Sequence, residues 1–252
     1  MKEQLYKTLK IFLEEREDVL AAFEGGSKAT GFNDSFSDLD LEIICKDDAV
    51  EDIFIAFKTF LNEHYGILRS YRMAEPTWHG FSQEFYLINQ MPAHFYIDLA
   101  VIKETKKERL TDHKRHGHHV VWFDKGSYIT EEDDSEEVTF NRCKRVYQQA
   151  TAIDFLMMIE TEKNLDRGKY LEAYQNFYRF ILSQLVVMLN LKNRPEKVDF
   201  GYRYAYRDYI KDDFELLTRL MQNHGIEELK AHYEEAKNYY LVLKEKFKKD
   251  FS

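Results

Sequence analysis

The segment that most constrains the fold runs from residue 23 to residue 45 and reads FEGGSKATGFNDSFSDLDLEIIC. Two apolar runs lie on either side of a glycine–glycine–serine turn at residues 25–27 and a polar loop. The second run begins on two like charges, Asp38 and Asp40, with a single leucine between them. The pattern predicts two strands joined through a glycine turn, the second entering the core beside a pair of carboxylates.

The spacing of the two aspartates indicates a shared task. In a strand, residues i and i+2 point to the same face, so Asp38 and Asp40 project together while Leu39 points to the core. Two carboxylates held this close repel each other, and one tends to keep its proton. A divalent cation removes that conflict, and Mg²⁺ is commonly held by one or two carboxylates plus substrate phosphates. The pair therefore predicts a Mg²⁺ site.

A third acid lies in a later strand. Asp98 is the only acid in the apolar stretch HFYIDLAVI, where a solvated-surface explanation is poor. A lone acid in a buried strand needs a partner. Three carboxylates on neighbouring strands would make a site for one or two Mg²⁺ ions.

The glycine turn supplies groups of the opposite kind. Gly26 and its neighbour Gly25 allow close approach of the backbone, and backbone N–H groups at such a turn bind phosphate. Ser27 adds a hydroxyl donor; taken alone, a serine there is also explained as a helix N-cap, and both roles can hold at once. The turn is not a P-loop, because GGSKATG lacks the G-K-[ST] ending.

The order and spacing of these elements resemble a known superfamily. G-G-S, ten residues, D-x-D and a later strand with one acid look like the polymerase-β-type nucleotidyltransferases. The closer likeness is to small bacterial two-domain proteins of the aminoglycoside (streptomycin 6-) adenylyltransferase kind. In that group the pattern h-x-I-D-L, where h is apolar, marks the third acid, and FYIDLAVI matches it. The resemblance implies an α+β protein: an N-terminal nucleotidyltransferase fold, with a mixed β-sheet flanked by helices, and a C-terminal all-α helical-bundle domain.

The resemblance also implies roles for individual residues. It implies catalytic and metal-binding roles for the three acids Asp38, Asp40 and Asp98. Either Asp98 completes the metal site or it accepts the proton of the acceptor. Gly26 and Ser27 would hold the β- and γ-phosphates of a nucleoside triphosphate, ATP by analogy. Lys169, in DRGKYLEAY, would reach the triphosphate from the helical half, with a solvated first-turn lysine as the alternative.

Three functions follow from this resemblance. The first is Mg²⁺-dependent transfer of a nucleoside monophosphate, AMP from ATP, to a hydroxyl of a small, cationic acceptor such as an aminoglycoside. The second is the same chemistry on a protein hydroxyl, as in AMPylating, toxin–antitoxin-type enzymes. The third is a nucleotide-binding module without turnover. The motifs leave open whether the protein is a monomer or a homodimer.

Two further features have competing explanations. Glu84 opens a strand before Asp98 and would serve as a general base in its place, but an exposed edge charge is the favoured interpretation. Four histidines lie between His113 and His119. Because the segment has no cysteine and no H-E-x-x-H, the favoured interpretation is a polar loop near the substrate cleft rather than a metal site.

Composition restricts the protein class. The net charge of −9 argues against nucleic-acid binding, which needs a basic surface, and mildly favours a cationic substrate. No apolar run is long enough for a membrane span, and two cysteines build no disulfide framework, so we expect a cytoplasmic protein. An acidic run at residues 131–137 divides a predicted catalytic domain, residues 1–130, from a predicted helical substrate-binding domain, residues 131–252.

Overall fold

A computed structural model describes residues 1–106, 112–130 and 132–251. The chain divides into two compact units, residues 1–133 and residues 134–252. The first unit contains six strands: β1 (Val19–Glu24), β2 (Leu39–Cys45), β3 (Ile67–Arg72), β4 (Ser82–Ile88), β5 (Ile97–Lys103) and β6 (Val120–Asp124). Its helices are α1 (Lys2–Glu14), α2 (Gly26–Ala29), α3 (Val50–His64) and α4 (His113–His116).

The strands of the first unit form one mixed sheet in the order β3-β4-β5-β2-β1-β6. Strands β2 and β5 pair in parallel, and every other pair is antiparallel. The parallel pair requires a long crossover, which α3 and the β3–β4 hairpin provide. The crossover brings β5 against β2, so the strand with the third acid lies beside the strand with the aspartate pair.

The two faces of the sheet differ in chemistry. The helix face is covered by the apolar stripes of α1 and α3, which pack on alternate strand residues such as Leu41, Ile43 and Leu99. The opposite face, here called the carboxylate face, has a smaller apolar cluster that includes Phe23 and Ile44. Alternation along each strand assigns every acid of β2 and β5 to one of these faces.

Some local predictions for the first unit need correction. The spacing of Leu5, Leu9, Phe12 and Leu13 predicts a helix over residues 2–18. In the structure α1 ends at Glu14, and Arg16 forms a 3.0 Å hydrogen bond to Asp18 beyond it. The sequence predicted no strand over residues 67–72. β3 lies at the edge of the sheet and is mostly exposed, so it lacks the alternation that identifies a half-buried strand.

The second unit is wholly helical in the described residues. Its helices are α5 (Glu136–Thr151), α6 (Asp154–Asp166), α7 (Tyr170–Asn176), α8 (Ser183–Asn193), α9 (Ala205–Asp208), α10 (Lys211–Leu220) and α11 (Ile226–Phe251), with a π-helical turn at Phe177–Leu182 and a 3₁₀ turn at Pro195–Lys197. Ser135, in the acidic run, caps α5 by accepting a hydrogen bond from the Val138 N–H. Glu131, the first residue of that run, and Ser252 lie outside the described residues. An α+β protein with a mixed sheet and a helical C-terminal unit is confirmed.

The spacing of the apolar residues 171, 174, 178, 181, 185 and 189 predicts one long helix with a single apolar stripe, and this prediction is partly wrong. Leu171 is 76% exposed and Tyr178 is 39% exposed, whereas Ala173 and Phe177 are in the core. The π-helical turn explains the difference, because it adds a residue to one turn and shifts the phase of the apolar face. None of the described helices combines the length and apolar character needed to cross a membrane.

Candidate functional site

The carboxylates of β2 and β5 meet because of strand register. Asp40 lies directly opposite Asp98 in the parallel pair, so the two side chains project side by side on the carboxylate face. Asp38 lies two residues earlier, just before β2 begins, and alternation directs it to the same face. Burial raises the pKa of Asp98, and the charge of Asp38 adds to the rise. The structure thus brings together the three acids predicted from the sequence.

The glycine turn closes over Asp40. The Gly25 N–H donates to the Asp40 carbonyl over 3.0 Å, which continues the pairing of β1 with β2. Gly26 follows in the left-handed region at φ +56°, and a Cβ added there would lie 1.7 Å from Asp40 Oδ2. Only glycine fits both the backbone conformation and the approach to the carboxylate. The Gly26 backbone and the Asp40 carboxylate are therefore in close contact, with no room for a side chain between them.

Tyrosines surround Asp38. Burial raises the pKa of Tyr96, and the neighbouring Asp38 adds to the rise. Burial also raises the pKa of Tyr6 to about 12, with the charges of Glu24, Asp40 and Asp38 adding to the rise. Asp38 Oδ1 is buried and accepts no hydrogen bond from the described residues. A buried carboxylate oxygen without a donor is unusual, and it marks a place where a ligand would be favourable.

Sequence reasoning missed a fourth acid on this face, Glu42. It follows Asp40 by two residues on β2, so it shares the carboxylate face. Its Oε2 is buried without a hydrogen-bond partner among the described residues. Burial, together with the charges of Asp40 and Asp98, raises the pKa of Glu42 to about 8. The alternation D-L-D-L-E could have indicated this residue, because it continues the spacing of the aspartate pair.

We expect Glu42→Gln to stabilise the metal-free protein at high pH. Between the ordinary pKa of 4.5 and the native value of about 8, the native state holds a proton that the unfolded state has lost. Stability from this group therefore falls as pH rises through that window. In EDTA, Glu42→Gln should raise the free energy of unfolding by on the order of 2 kcal/mol at pH 9 and by much less at pH 5.

Urea unfolding at the two pH values measures this effect. The matched control is Glu63→Gln, an exposed glutamate of α3 in the same unit, which should change stability little at either pH. Equal effects of the two substitutions at pH 9 would contradict the prediction.

The donor set fits a hard divalent cation. Carboxylate oxygens are the ligands that Mg²⁺ prefers, and Asp38 and Glu42 each present a buried oxygen that has no hydrogen-bond partner in the described part of the chain. In the part of the chain that the structure describes, no group of three or more Asp, Glu, His or Cys side chains is arranged to hold a metal ion. Mg²⁺ usually keeps several waters and binds one or two carboxylates plus phosphate oxygens, so a full protein cage is not required.

Glu84 is not an exposed edge charge, and that interpretation is wrong. Its side chain is buried on the interior strand β4, with Lys58 Nζ 3.3 Å from its Oε1. Glu84 pairs with Leu99 in register, whereas its neighbour Phe85 pairs with Asp98. It therefore points to the helix face, on the opposite side of the sheet from the three acids, and it cannot share a proton with an acceptor beside Asp98.

The histidine segment supports the glycine turn. The His118 N–H donates to the Ala29 carbonyl at the end of α2 over 2.9 Å. Gly117, at φ +79°, allows this approach, because a Cβ there would lie 2.3 Å from the same carbonyl oxygen. His119 is buried with its ring 4.8 Å from that of Phe23. The segment contains the short helix α4, and its contacts hold α2 against the sheet.

Lys28 also holds the turn to the sheet. Its Nζ lies 3.0 Å from Oε1 of the buried Glu24, which also accepts a 2.7 Å hydrogen bond from Trp122 Nε1. The predicted phosphate role of Ser27, the second residue of α2, stays a prediction. The same is true of Lys169, which is exposed just before α7 in the second unit.

Comparison with known proteins gives structural likenesses only. No protein-family model matches the chain, and no curated protein sequence matches it. The fold is similar to an aminoglycoside 6-adenyltransferase from Bacillus subtilis, with 15% identity, a TM-score of 0.39, and coverage of 98% of this chain and 89% of that one. It is similar to a nucleotidyltransferase-like protein from Exiguobacterium sibiricum, with 13% identity, a TM-score of 0.44, and coverage of 98% and 76%. A STING-associated c-di-GMP synthase from Capnocytophaga granulosa is similar at 17% identity, with a TM-score of 0.30 and coverage of 94% and 81%. At these identities and scores, the functional proposal rests on the residues of this chain.

Proposed function

We propose that this protein is a Mg²⁺-dependent nucleotidyltransferase that moves a nucleoside monophosphate, AMP from ATP, to a hydroxyl of a small cationic acceptor such as an aminoglycoside. The observation that supports it best is the row formed by Gly26, Asp40 and Asp98. A backbone turn suited to phosphate touches one carboxylate, and a second carboxylate lies directly beside the first. Metal-dependent phosphoryl chemistry needs these groups together.

Asp38 and the three residues of the row would divide the tasks of the reaction. Asp38 and Asp40 would hold the metal, which supplies charge neutralisation on the α-phosphate and the leaving pyrophosphate. Gly26 would let the phosphates approach Asp40, since no side chain intervenes. Asp98 would complete the metal site or accept the proton of the attacking hydroxyl. Burial raises the pKa of Asp98, which makes its carboxylate a better base than an exposed aspartate.

Pyrophosphate release tests the proposal. The protein is incubated with Mg²⁺ and each of the four ribonucleoside triphosphates, against a panel of aminoglycosides and other hydroxylated amines. We expect release that needs both Mg²⁺ and an acceptor and that is fastest with ATP. Label from α-labelled ATP that appears on a protein band instead would favour the protein-modifying function. Tight MgATP binding without release across the panel would favour a nucleotide-binding module.

A further inference from the structure

Two side chains outside the proposed site, Gln83 and His79, are linked to Asp98 by consecutive hydrogen bonds. Gln83, on β4, donates from Nε2 to Asp98 Oδ1 over 2.6 Å. Its Oε1 lies 3.0 Å from Nε2 of His79 in the preceding loop. Neither residue has a task in the proposed reaction as described so far. Gln83 nevertheless contacts one of the three acids directly, and His79 contacts Gln83.

The chemistry of the groups fixes which atom donates and which accepts in each of these hydrogen bonds. A carboxylate only accepts, so the NH₂ of Gln83 faces Asp98 and its carbonyl faces His79. His79 Nε2 must then bear the proton. At the other side of the ring, the Phe81 N–H donates to His79 Nδ1 over 3.1 Å, which requires Nδ1 to be an acceptor. Two of the ring's contacts, with Gln83 Oε1 and with the Phe81 N–H, require the tautomer that has its proton on Nε2. The third contact, with Thr77 Oγ1, is the longest of the three at 3.3 Å from Nδ1.

The loop that presents His79 is closed by its own hydrogen bonds. The buried Thr77 hydroxyl donates to the Phe81 carbonyl over 2.5 Å, and the Gly80 N–H donates to the Thr77 carbonyl over 3.1 Å. These bonds bring the ends of residues 77–81 together around the imidazole. The loop therefore holds the His79 ring in a fixed position, and the ring in turn orients the Gln83 amide.

We propose that Gln83 and His79 are positioning residues that fix the orientation of the Asp98 carboxylate: Gln83 engages one oxygen of Asp98, and His79 fixes the orientation of the Gln83 amide. This inference rests on the proposed function, because it assigns Gln83 and His79 to the same metal and acceptor site. Outer partners of this kind orient ligating carboxylates and commonly change metal affinity by about 10–100-fold when removed.

The tautomer of His79 is the first test and needs neither metal nor substrate. Two-bond ¹H–¹⁵N correlation spectra of the labelled protein would identify the His79 ring by its disappearance in His79→Asn. We expect the proton on Nε2 and a bare Nδ1 at pH 7.5. A proton on Nδ1 with a bare Nε2 would overturn the proposal, because His79 could then not donate to the Gln83 carbonyl.

Metal affinity is the second test, with Mn²⁺ as the probe and the free ion measured by electron paramagnetic resonance. Gln83→Leu removes the donor to Asp98 and should weaken Mn²⁺ binding about tenfold. His79→Asn keeps an acceptor for the Phe81 N–H but removes the donor to Gln83, and it should weaken binding about threefold. Because His79 acts through Gln83, the double variant should bind like Gln83→Leu alone. The control is Gln4→Leu, an exposed glutamine of α1, which should bind Mn²⁺ like the wild type.

The outcomes separate this inference from the proposed function. Wild-type Mn²⁺ affinity in Gln83→Leu, or losses that add in the double variant, would overturn the positioning role while leaving nucleotidyl transfer intact. A protein that loses Mn²⁺ affinity in Gln83→Leu but never releases pyrophosphate would support the positioning role and overturn the proposed function.

Discussion

Asp40→Asn should reduce pyrophosphate release by about 10³-fold or more while leaving the protein folded. The substitution keeps the size of the side chain and its place beside Gly26 and Asp98, but it removes the charge that would bind Mg²⁺. It also relieves repulsion among neighbouring carboxylates, so the metal-free variant should be at least as stable as the wild type. Turnover and urea unfolding, measured on the same preparation, separate loss of chemistry from loss of fold.

Asp38→Asn should have a similar effect on turnover, because Asp38 presents a buried oxygen without a protein donor among the described residues. The control for both variants is Asp52→Asn, an exposed aspartate of α3, which should retain wild-type turnover. If Asp38→Asn and Asp40→Asn both retain that activity, the assignment of the acids is wrong.

Gly26→Ala should nearly abolish turnover, and it should also destabilise the protein. The methyl group would lie 1.7 Å from Asp40 Oδ2, so either the turn or the carboxylate must move. The left-handed backbone adds a cost of about 1 kcal/mol for any residue with a Cβ. We expect a total destabilisation of about 2–4 kcal/mol and at least a hundredfold loss of turnover.

Gly31→Ala is a matched control for this substitution. Gly31 also has a left-handed backbone, at φ +73°, but a Cβ there would meet no atom of the described residues within 4 Å. It should show only the backbone cost, about 1 kcal/mol, with turnover close to that of the wild type. The difference between the two variants in urea unfolding and in turnover therefore measures the contact with Asp40. Equal losses in the two variants would mean that the approach to Asp40 has no functional role.

Several parts of the site could be predicted because they depend on neighbours in sequence. Strand alternation is local, so the spacing of Asp38 and Asp40 was enough to assign them to one face. The glycine turn was recognisable because a strand followed by two glycines predicts close backbone approach. Asp98 was conspicuous as one acid in an apolar strand, since such a residue needs a partner.

Other parts depend on which strands become neighbours. The position of Asp98 opposite Asp40 comes from a parallel pairing across more than fifty residues of chain, and no local pattern encodes it. The same pairing separates Glu84 from the acids, because a one-residue difference in register reverses the face of a side chain. His79 and Gln83 could not be related to Asp98 until β4 lay beside β5.

The sequence by itself determined the local features of the site: which acids share one face of a strand and where two glycines let the backbone turn closely. Only the tertiary structure decided which of those groups meet. The physical reason is that side-chain alternation and turn conformation arise from adjacent residues, whereas register across a sheet and the phase of a helix with a π-helical turn arise from packing between distant segments.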